Sequence, residues 1–574
     1  MIPRSEHPKH QFQRDSWMNL NGPWAFEIDQ GRSGEARKLH AIDATLSQQI
    51  TVPFCPESKL SGIGYKDFMY GVWYQKKVTL TKEQCAGKVF LHFGAVDYEA
   101  VVYINGKKAG GHKGGYVSFK VDVTEFVVPG ENVITVNAID DTRNPMYPSG
   151  KQSDYFYSNG CVYTRTTGIW QTVWLEFLSD NYISEHIITA DVDHQWVRFE
   201  LRTITSGNIT AEIYYNNEKI SEKSAEISGN QVCFDVPVEN PELWEPGHPA
   251  LYDIVLTLRQ GDEIVDSVKT YCGFRKYEFR DKELYLNGKA LFLRQVLDQG
   301  FYPDGIYTAK TVEDIYHDID MSMELGFNGA RPHEKVFEEH YFWYADKVGY
   351  IVWGEYPNWG CTFTADNPKG VENFIREWSE VVKRDRNHPS IMGWCPLNEA
   401  WHGELQRCDA ISQKRLYHVT KALDPERIVI GSSGGDMYIT DIYDVHNYTR
   451  DIDFIHRILS EGFLQNPPEQ CGDIDMMTIP QLMEYPLFFS EYGGVSYSNE
   501  AGWGYHSAES EESFVDGYCA RTDAMFQHKC IGYCYTQLTD VEQEQNGLYY
   551  YDRRRKLSDE GTQRIINCNT QPKK

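Results

Sequence analysis

The stretch IMGWCPLNEA, residues 391–400, is a short apolar run that ends on an amide and a carboxylate. A run of this length without charges is typical of a strand that is buried on both faces. The segment before it, VENFIREWSEVVKR (371–384), places its apolar residues at the spacing of one helix face. A helix followed by a buried strand indicates a parallel sheet with helices packed against it.

The same alternation of strand and helix extends over the carboxyl-terminal half of the chain. Eight short apolar segments follow one another, mostly separated by stretches with helical periodicity, and they predict a (β/α)8 barrel over residues 276–574. The interval between the fifth and sixth segments is the weak point, because it is short and contains no obvious helix. The predicted strands are ALFLRQV (290–296), GFNGAR (326–331), YIVWG (350–354), IMGWCP (391–396), RIVIG (427–431), IYDVH (442–446), PLFFSE (486–491) and IGYCYTQ (531–537).

The first 275 residues follow a different pattern. Short segments alternate apolar and polar positions between Gly, Asn and Pro turns, as in KVFLHFGAV (88–96), and this is typical of antiparallel β-sandwiches. Residues 1–180 are expected to form a first, jelly-roll-like sandwich. Residues 181–275 repeat the pattern in a smaller unit, which suits an immunoglobulin-like sandwich.

The composition restricts the partners of the chain. A formal charge of −27 without a basic stripe argues against binding to nucleic acid or to an anionic membrane. The sequence has no apolar run approaching the ~18 residues of a membrane span, and its amino terminus lacks the apolar core of a signal peptide. The 13 cysteines are odd in number and scattered, which fits reduced thiols and a cytoplasmic location.

Polar side chains follow the predicted barrel strands where each strand ends. Because barrel enzymes react at the carboxyl ends of their strands, these side chains are the candidate site. Glu399 and Glu491 stand out, because packing gives no reason for a carboxylate after an apolar strand. Asp298 and Asp540, taken singly, could equally be ordinary loop residues. The other residues expected to bind substrate at the strand ends are Arg331, His333, Glu355, Asn398, His446, Asn447, Tyr448 and Gln537.

A pair of carboxylates on converging strand ends is what retaining glycoside hydrolysis requires. One carboxylate attacks the anomeric carbon, and the other protonates the leaving oxygen and then deprotonates water. A metal-dependent barrel hydrolase is a rival interpretation, but it would place a His-x-His pair after the first strand, where LFLRQVLDQG contains no histidine. A non-catalytic carbohydrate-binding protein is a second rival, and it would be expected to have lost one glutamate.

Several motifs in sequence order resemble those of glycoside hydrolase family 2, the family of β-galactosidases, β-glucuronidases and β-mannosidases. The resemblance covers nearly the whole chain, in a short three-domain form, and it implies that the first sandwich is the sugar-binding domain of the family. The matching segments are WMNLNGPW (17–24), LHFGAVD (91–97), Asn105-Gly106, GIWQ (168–171), LNG (286–288), Asn398-Glu399, Tyr448 and SEYG (490–493).

The resemblance implies unequal roles for the two glutamates. Glu491 matches the nucleophile, and Tyr448 and Arg331 are candidates to donate hydrogen bonds to it. Glu399 matches the acid/base, and we expect burial and the charge of Glu491 to raise its pKa. Asn398 is placed to bind the sugar 2-hydroxyl. We expect the two carboxyl groups to lie ~5–5.5 Å apart. A separation beyond about 6.5 Å would indicate an inverting mechanism.

The sugar is less well defined than the reaction. In β-glucuronidases an Asn-x-Lys element after the eighth strand grips the uronate, whereas here EQNGLY (544–549) has no lysine, although Arg331 or Lys335 could replace it. A neutral sugar such as a β-galactoside is therefore expected, with β-glucuronidase, β-galacturonidase and arabinosidase activities as alternatives. After the first strand, the sequence VLDQ (296–299) replaces the Asn-Arg-His-Glu-like turn of the family, and no metal or cofactor is expected.

Two further expectations concern the surface of the molecule. Trp359, Trp401 and Trp503 lie in loops near the predicted mouth of the barrel, where they could stack on sugar rings or merely cap the barrel. Two exposed β-domains offer surfaces on which the chain could form a homodimer or a homotetramer.

Overall fold

The structure is a computed structural model that describes residues 2–401, 408–459, 484–498 and 502–572. Its amino-terminal part is an antiparallel sandwich with sheet orders β1-β12-β5-β9 and β3-β2-β4-β10-β7-β8. Alternate residues of these strands point inward, so apolar side chains such as Leu91 and Val136 are buried between the sheets. The strands are β1 (Trp17–Asn19), β2 (Gly22–Ile28), β3 (Gln48–Val52), β4 (Val72–Leu80), β5 (Lys88–Phe93), β6 (Val96–Asp97), β7 (Glu99–Ile104), β8 (Lys107–Lys113), β9 (Phe119–Asp122), β10 (Gly130–Ile139), β11 (Gly168–Ile169) and β12 (Val173–Leu178).

A second, smaller sandwich follows, with sheet orders β13-β14-β17 and β16-β15-β20-β21. Its core consists mainly of inward-facing aliphatic side chains such as Leu256. The strands are β13 (Ile183–Asp191), β14 (Trp196–Thr203), β15 (Gly207–Tyr215), β16 (Glu218–Ile227), β17 (Gln231–Pro237), β18 (Trp244–Glu245), β19 (His248–Pro249), β20 (Tyr252–Gln260) and β21 (Glu263–Cys272).

A small antiparallel sheet leads from the second sandwich into the barrel. Its strands are β22 (Tyr277–Arg280), β23 (Glu283–Leu286) and β24 (Lys289–Ala290). The two residues that join β23 to β24 are Asn287 and Gly288, both with positive φ, of 54° and 76°. Asn-Gly is the preferred sequence for such a tight hairpin because both residues tolerate this conformation.

Eight parallel strands form one sheet in the order β29-β28-β27-β26-β25-β34-β31-β30. Each of the eight strands predicted from the sequence overlaps one of them. The first and last strands along the chain, β25 and β34, pair in parallel, as barrel closure requires. The strands are β25 (Leu293–Asp298), β26 (Gly329–Pro332), β27 (Ile351–Glu355), β28 (Ile391–Cys395), β29 (Ile428–Val429), β30 (Tyr443–Asn447), β31 (Leu487–Gly493) and β34 (Gly532–Thr536), with the short β32 (Val495–Ser496) and β33 (His506–Ser507) after β31.

The barrel has its seam at the interval that the sequence marked as weak. Strands β29 and β30 are the two ends of the described sheet, and residues 430–442 between them contain no helix. Hydrogen bonds outside the strand ladder span the seam, including one from the Asp441 amide to the Val429 carbonyl at 2.9 Å. The Ser433 hydroxyl and a ring nitrogen of His446 lie 3.0 Å apart across the same gap.

Seven helices are described around and after the barrel strands. The helix predicted at 371–384 is α3, which begins with Pro368 in its first turn and is capped by the side chain of Asn367. None of the described helices is long and apolar enough to cross a lipid bilayer. The helices are α1 (Val312–Glu324), α2 (Glu339–Val348), α3 (Pro368–Asp385), α4 (Ala410–Leu423), α5 (Ile452–Leu459), α6 (Glu511–Gln527) and α7 (Asp559–Thr570).

A long connection of the first sandwich, between β10 and β11, reaches the carboxyl-terminal end of the barrel. We call residues 149–164 of this connection the bridging loop. The Ser149 amide donates to the Trp359 carbonyl at 2.8 Å, and the Thr164 amide donates to Glu542 at 3.0 Å. The bridging loop is therefore fastened at both of its ends to loops that follow barrel strands.

Candidate active site

The two glutamates singled out in the sequence lie side by side at the carboxyl ends of their strands. Glu399 follows β28 and Glu491 lies within β31. One carboxylate oxygen of each lies within 4.8 Å of the other and of a ring nitrogen of His446. This separation is far below the ~6.5–9.5 Å of inverting enzymes, which leave room for a water molecule. The two carboxylates are thus close neighbours at the same end of the barrel.

The turn that carries Glu399 is held in an unusual conformation. Glu399 has a φ of 46°, which is uncommon for a residue with a side chain and is typical of strained functional sites. The side chain of Asn358 supports this turn, because it accepts from the Asn398 amide at 2.6 Å and donates to the Asn398 carbonyl at 3.0 Å. The sequence analysis missed Asn358, which lies in the loop after β27.

Glu491 is surrounded by donors that favour its ionised form. Arg331 donates to one carboxylate oxygen at 2.7 Å, and the hydroxyl of Tyr448 donates to the other. These are the two donors expected from the sequence. Burial alone would raise the pKa of Glu491, but the charges of His446 and Arg331 lower it to about 2. Glu491 is thus a carboxylate at neutral pH, as a nucleophile must be.

Arg331 is fully buried and organises the base of the site. Besides Glu491, it donates to Glu355 at 2.5 Å and to the amide oxygen of Asn398 at 2.6 Å. Glu355 also accepts from the ring of His333 at 2.9 Å. The side chain of Glu355 is inaccessible to solvent and holds Arg331 and His333 in place, and its expected contact with substrate stays a prediction.

His446 bridges the two glutamates. One ring nitrogen lies 2.9 Å from Glu399, and the other lies 3.4 Å from Glu491. Burial would lower the pKa of His446, but the charge of Glu491 and the hydrogen bond to Glu399 raise it above its ordinary value. The imidazole is therefore positioned to carry a positive charge between two negative ones.

The expected rise in the pKa of Glu399 is not found, and the expectation is wrong. Burial does act upward, but the hydrogen bond and charge of His446 outweigh it and lower the pKa to about 2. The sequence analysis considered only burial and the charge of Glu491. The adjacent imidazole, whose pKa is raised, holds a proton more readily than Glu399 does.

Two amide groups offer unused donors at the site. The side-chain nitrogens of Asn398 and Gln537 are buried and have no hydrogen-bond partner among the described residues. The Gln537 oxygen is already engaged, because it accepts from Gln299 at 2.8 Å. Buried polar groups are normally satisfied, so these free donors at the site are candidates for binding substrate.

The remaining predicted residues are placed less centrally. Asp540 pairs with Lys556 at 2.5 Å and accepts from the Gly547 amide at 2.9 Å, and these contacts hold the loop after β34. The expected role of Asp540 in substrate binding stays a prediction. Asn447 caps the Thr449 amide at 3.1 Å, and Asp298 accepts from the Gly300 amide at 2.9 Å. One carboxylate oxygen of Asp298 is buried without a described partner.

The three tryptophans differ in their surroundings. Trp359 donates its ring N–H to the Asn398 carbonyl at 3.3 Å, beside the acid/base turn. Trp503 donates to the Gly160 carbonyl of the bridging loop at 2.5 Å, which is a capping contact. Trp401 is 39% exposed. Tyr505, which the sequence analysis missed, stacks on Tyr448 with ring centroids 3.6 Å apart.

The cluster of Glu399, His446 and Glu491 also has the donor atoms of a metal site. However, Arg331 places a guanidinium 2.7 Å from Glu491, and this positive charge opposes a bound cation. The expectation that no metal takes part remains a prediction.

Comparison with known families agrees with the architecture. Three models of one family match consecutive parts of the chain: the sugar binding domain of glycosyl hydrolases family 2 at 17–175, the family 2 model at 180–275, and the family's TIM barrel domain at 277–556. The chain belongs to glycosyl hydrolase family 2. This membership confirms both the resemblance and the fold class inferred from the sequence.

Relatives of this family 2 chain carry two different activities in their names. A putative beta-glucuronidase of Formosa agariphila is 28% identical over 62% of this chain and 44% of its own length. A beta-galactosidase of Thermoanaerobacter pseudethanolicus is 29% identical over 70% of this chain and 53% of its own length. The family 2 chain therefore spans about half the length of these two curated relatives.

A solved structure matches the whole of this family 2 chain. It is a β-glucuronidase of Ruminococcus gnavus in complex with D-glucuronic acid, with a TM-score of 0.79 over 99% of this chain and 100% of that chain. At 17% sequence identity, the likeness shows the fold alone.

Proposed function

We propose that the protein is a retaining, exo-acting β-glycosidase that works by double displacement. The observation that carries the proposal is the pair of carboxylates, Glu399 and Glu491, whose oxygens lie within 4.8 Å at the ends of two parallel strands. The reaction needs an ionised nucleophile and a proton donor. Glu491, held by Arg331 and Tyr448, suits the first role, and Glu399, with a proton source beside it, suits the second.

In the first step, an oxygen of Glu491 attacks the anomeric carbon of the terminal sugar. The bond to the leaving oxygen breaks as Glu399 donates a proton to that oxygen. Because Glu399 is ionised while it binds His446, its proton comes from the imidazolium when substrate separates the two groups. The free N–H of Asn398 is placed to bind the sugar 2-hydroxyl, an interaction that strengthens in the transition state.

In the second step, water replaces the leaving group. Glu399 removes a proton from this water, the water oxygen bonds to the anomeric carbon, and Glu491 leaves with the electron pair of its bond to the sugar. Each of the two steps inverts the configuration at the anomeric carbon, so the product keeps the configuration of the substrate. Arg331 and Tyr448 then stabilise the carboxylate of Glu491 that is released.

We propose a neutral terminal sugar, such as a β-galactoside. Arg331 and Lys335, the two residues expected from the sequence as replacements for the uronate lysine, are already engaged: Arg331 binds three protein side chains, and Lys335 donates to the Tyr307 carbonyl at 2.8 Å. The free amides of Asn398 and Gln537 suit hydroxyl groups. β-Glucuronidase, β-galacturonidase and arabinosidase activities are the alternatives, and the names of the relatives include both β-galactosidase and β-glucuronidase.

We also propose a cytoplasmic location and assembly as a homodimer or homotetramer. The free thiols of the described cysteines support a reducing compartment. Size-exclusion chromatography with light scattering on the purified chain tests the assembly, and a monomer would contradict it.

A panel of nitrophenyl glycosides, assayed with the unmodified protein and with Glu491→Gln, tests the reaction and the sugar together. The substitution keeps the shape of the side chain but removes the nucleophile, so turnover should fall by at least about 10³-fold. Glu131→Gln, an exposed site that pairs only with Lys77, is the matched control and should behave as unmodified protein. An equal rate for Glu491→Gln would exclude the mechanism, and a preference for a uronide would exclude the neutral sugar.

A further inference from the structure

The bridging loop of the first sandwich places a cation in the mouth of the barrel. This cation is Lys151, whose residue is only 5% exposed. The loop is held there on both sides of Lys151: the Gly150 amide donates to the Trp359 carbonyl at 3.0 Å, and the Tyr163 hydroxyl donates to Glu544 at 2.5 Å. The position of the ammonium is thus fixed by contacts between the first sandwich and the barrel.

The ammonium of Lys151 lies on the face of Trp359, whose ring contacts the turn that carries Glu399. Its Nζ is 3.7 Å from the centroid of the Trp359 ring, and the N–H of that ring donates to the carbonyl of Asn398. Burial would lower the pKa of Lys151, but its negatively charged surroundings, which include Glu544 and Glu399, raise it. Lys151 therefore keeps its positive charge at neutral pH.

Lys151 differs from the other buried lysines in having no acceptor. Lys335 donates to the Tyr307 carbonyl at 2.8 Å, and Lys556 donates to Asp540 at 2.5 Å. In the part of the chain that the structure describes, the Nζ of Lys151 contacts the Trp359 face but has neither a hydrogen-bond acceptor nor a carboxylate within ion-pair distance. An ammonium carries several N–H donors, so those of Lys151 are available to an acceptor that enters the mouth of the barrel.

We propose that Lys151 is a substrate-binding residue, whose ammonium donates hydrogen bonds to an oxygen acceptor of the glycoside beside Glu399. This inference rests on the proposed glycosidase function. The acceptor is a hydroxyl in a neutral sugar and a carboxylate in a uronide, and the ammonium recognises the electron-rich oxygen in both. The first sandwich thus contributes directly to the substrate specificity of the barrel.

Two substitutions separate a binding role from a packing role. Lys151→Met keeps an unbranched stem on the Trp359 face but removes the charge and the donors, whereas Lys151→Arg keeps both. Lys113→Met is the matched control, because Lys113 is a half-exposed lysine of the same sandwich that pairs with Glu99. Each variant is assayed for KM and kcat on nitrophenyl β-galactoside and nitrophenyl β-glucuronide, and for its Tm.

Loss of one charged hydrogen bond should lower kcat/KM of Lys151→Met by about 10- to 100-fold, mainly through KM. Lys151→Arg should recover part of the loss, and Lys113→Met should show none. If kcat/KM of Lys151→Met falls only for the galactoside, the acceptor is a hydroxyl. If it falls only for the glucuronide, the acceptor is the carboxylate. Unchanged kinetics on both substrates, or a loss in kcat and Tm alone, would overturn the proposal.

A binding experiment keeps this test separate from the mechanism. Calorimetric titration of galactose and glucuronate into Glu491→Gln, with and without Lys151→Met, measures binding without turnover. We expect at least one of these sugars to bind about 10-fold or more weakly when Lys151 is replaced. Equal binding of both sugars to the two proteins would refute the role of Lys151 even if Glu491 proves to be the nucleophile.

Discussion

Replacement of His446 by glutamine should move the pH dependence of the enzyme. His446 lies 2.9 Å from Glu399 and 3.4 Å from Glu491, so these three groups share their protons and titrate together. The active form needs an ionised Glu491 and one proton on the pair formed by Glu399 and His446. In the free enzyme that proton is on the imidazole, because the pKa of His446 is raised and that of Glu399 is lowered.

The direction of the change follows from where this proton is held. In the unmodified enzyme, activity falls as pH rises through the raised pKa of His446, above its ordinary value of 6.5. In His446→Gln the proton can reside only on Glu399, whose pKa is no longer held down by the imidazolium. Burial still acts to raise the pKa of Glu399, but the charge of Lys151 continues to lower it. The basic limb of the profile should therefore move to lower pH.

The size of the change follows from the hydrogen bond that is lost. A hydrogen bond between charged groups contributes about 1.5–3 kcal/mol, which corresponds to a change of about 1–2 in the pKa of Glu399. After this rise, the pKa of Glu399 is still lower than that of His446, which carries the proton in the unmodified enzyme. We expect the midpoint of the basic limb of the kcat/KM profile to move to lower pH by at least about one pH unit.

The assay is kcat/KM for the preferred nitrophenyl glycoside between pH 4 and 9. Ser433→Ala is the matched control: its hydroxyl lies 3.0 Å from the same imidazole but carries no charge, so the basic limb should move much less. If the basic limb of His446→Gln coincides with that of the unmodified enzyme, Glu399 and His446 do not share a proton. The same holds for a shift to higher pH.

Three further substitutions have expected outcomes. Tyr448→Phe removes the hydroxyl donor to Glu491, so kcat should fall by about 10- to 100-fold while KM changes little, as steady-state kinetics would show; an unchanged kcat would contradict the contact. Asn358→Ala leaves the Asn398 amide without its partner, which should lower the free energy of unfolding by about 1–3 kcal/mol and also reduce kcat. An effect on stability with an unchanged kcat would show that the turn keeps its conformation without Asn358. Leu256→Ala, in the core of the second sandwich, should lower the free energy of unfolding by about 2–5 kcal/mol in denaturant titrations without changing kcat per folded molecule.

Much of the barrel was predictable because its signal is local. Short apolar runs such as 391–396 are long enough for a strand but too short for a helix, and each is followed by a polar group at the catalytic end. The interval between 427–431 and 442–446, which is short and has no obvious helix, is the weak point of the barrel prediction, and the sheet has its seam there. Glu399 and Glu491 were identified for the same reason, because each interrupts an apolar run.

The parts that were not predictable depend on contacts between distant segments. No local pattern places Lys151 of the first sandwich against Trp359 of the barrel, and no spacing shows that Asn358 supports the turn at Asn398. The ion pair of Glu355 with Arg331 was likewise not predictable, because a position at a strand end does not show which side chains lie next to it. The sign of the Glu399 pKa was wrong because it depends on an imidazole 47 residues away.

The central claim is that Glu491 forms a covalent bond to the sugar, and a trapping experiment tests it most directly. A 2-deoxy-2-fluoro glycoside of the preferred sugar with a good leaving group should slow both steps and allow the glycosyl-enzyme to accumulate. Peptide mass mapping of the inactivated protein is expected to find one added sugar on the peptide that contains Glu491, and none in Glu491→Gln. A label on any other residue, or product of inverted configuration without a label, would contradict the account.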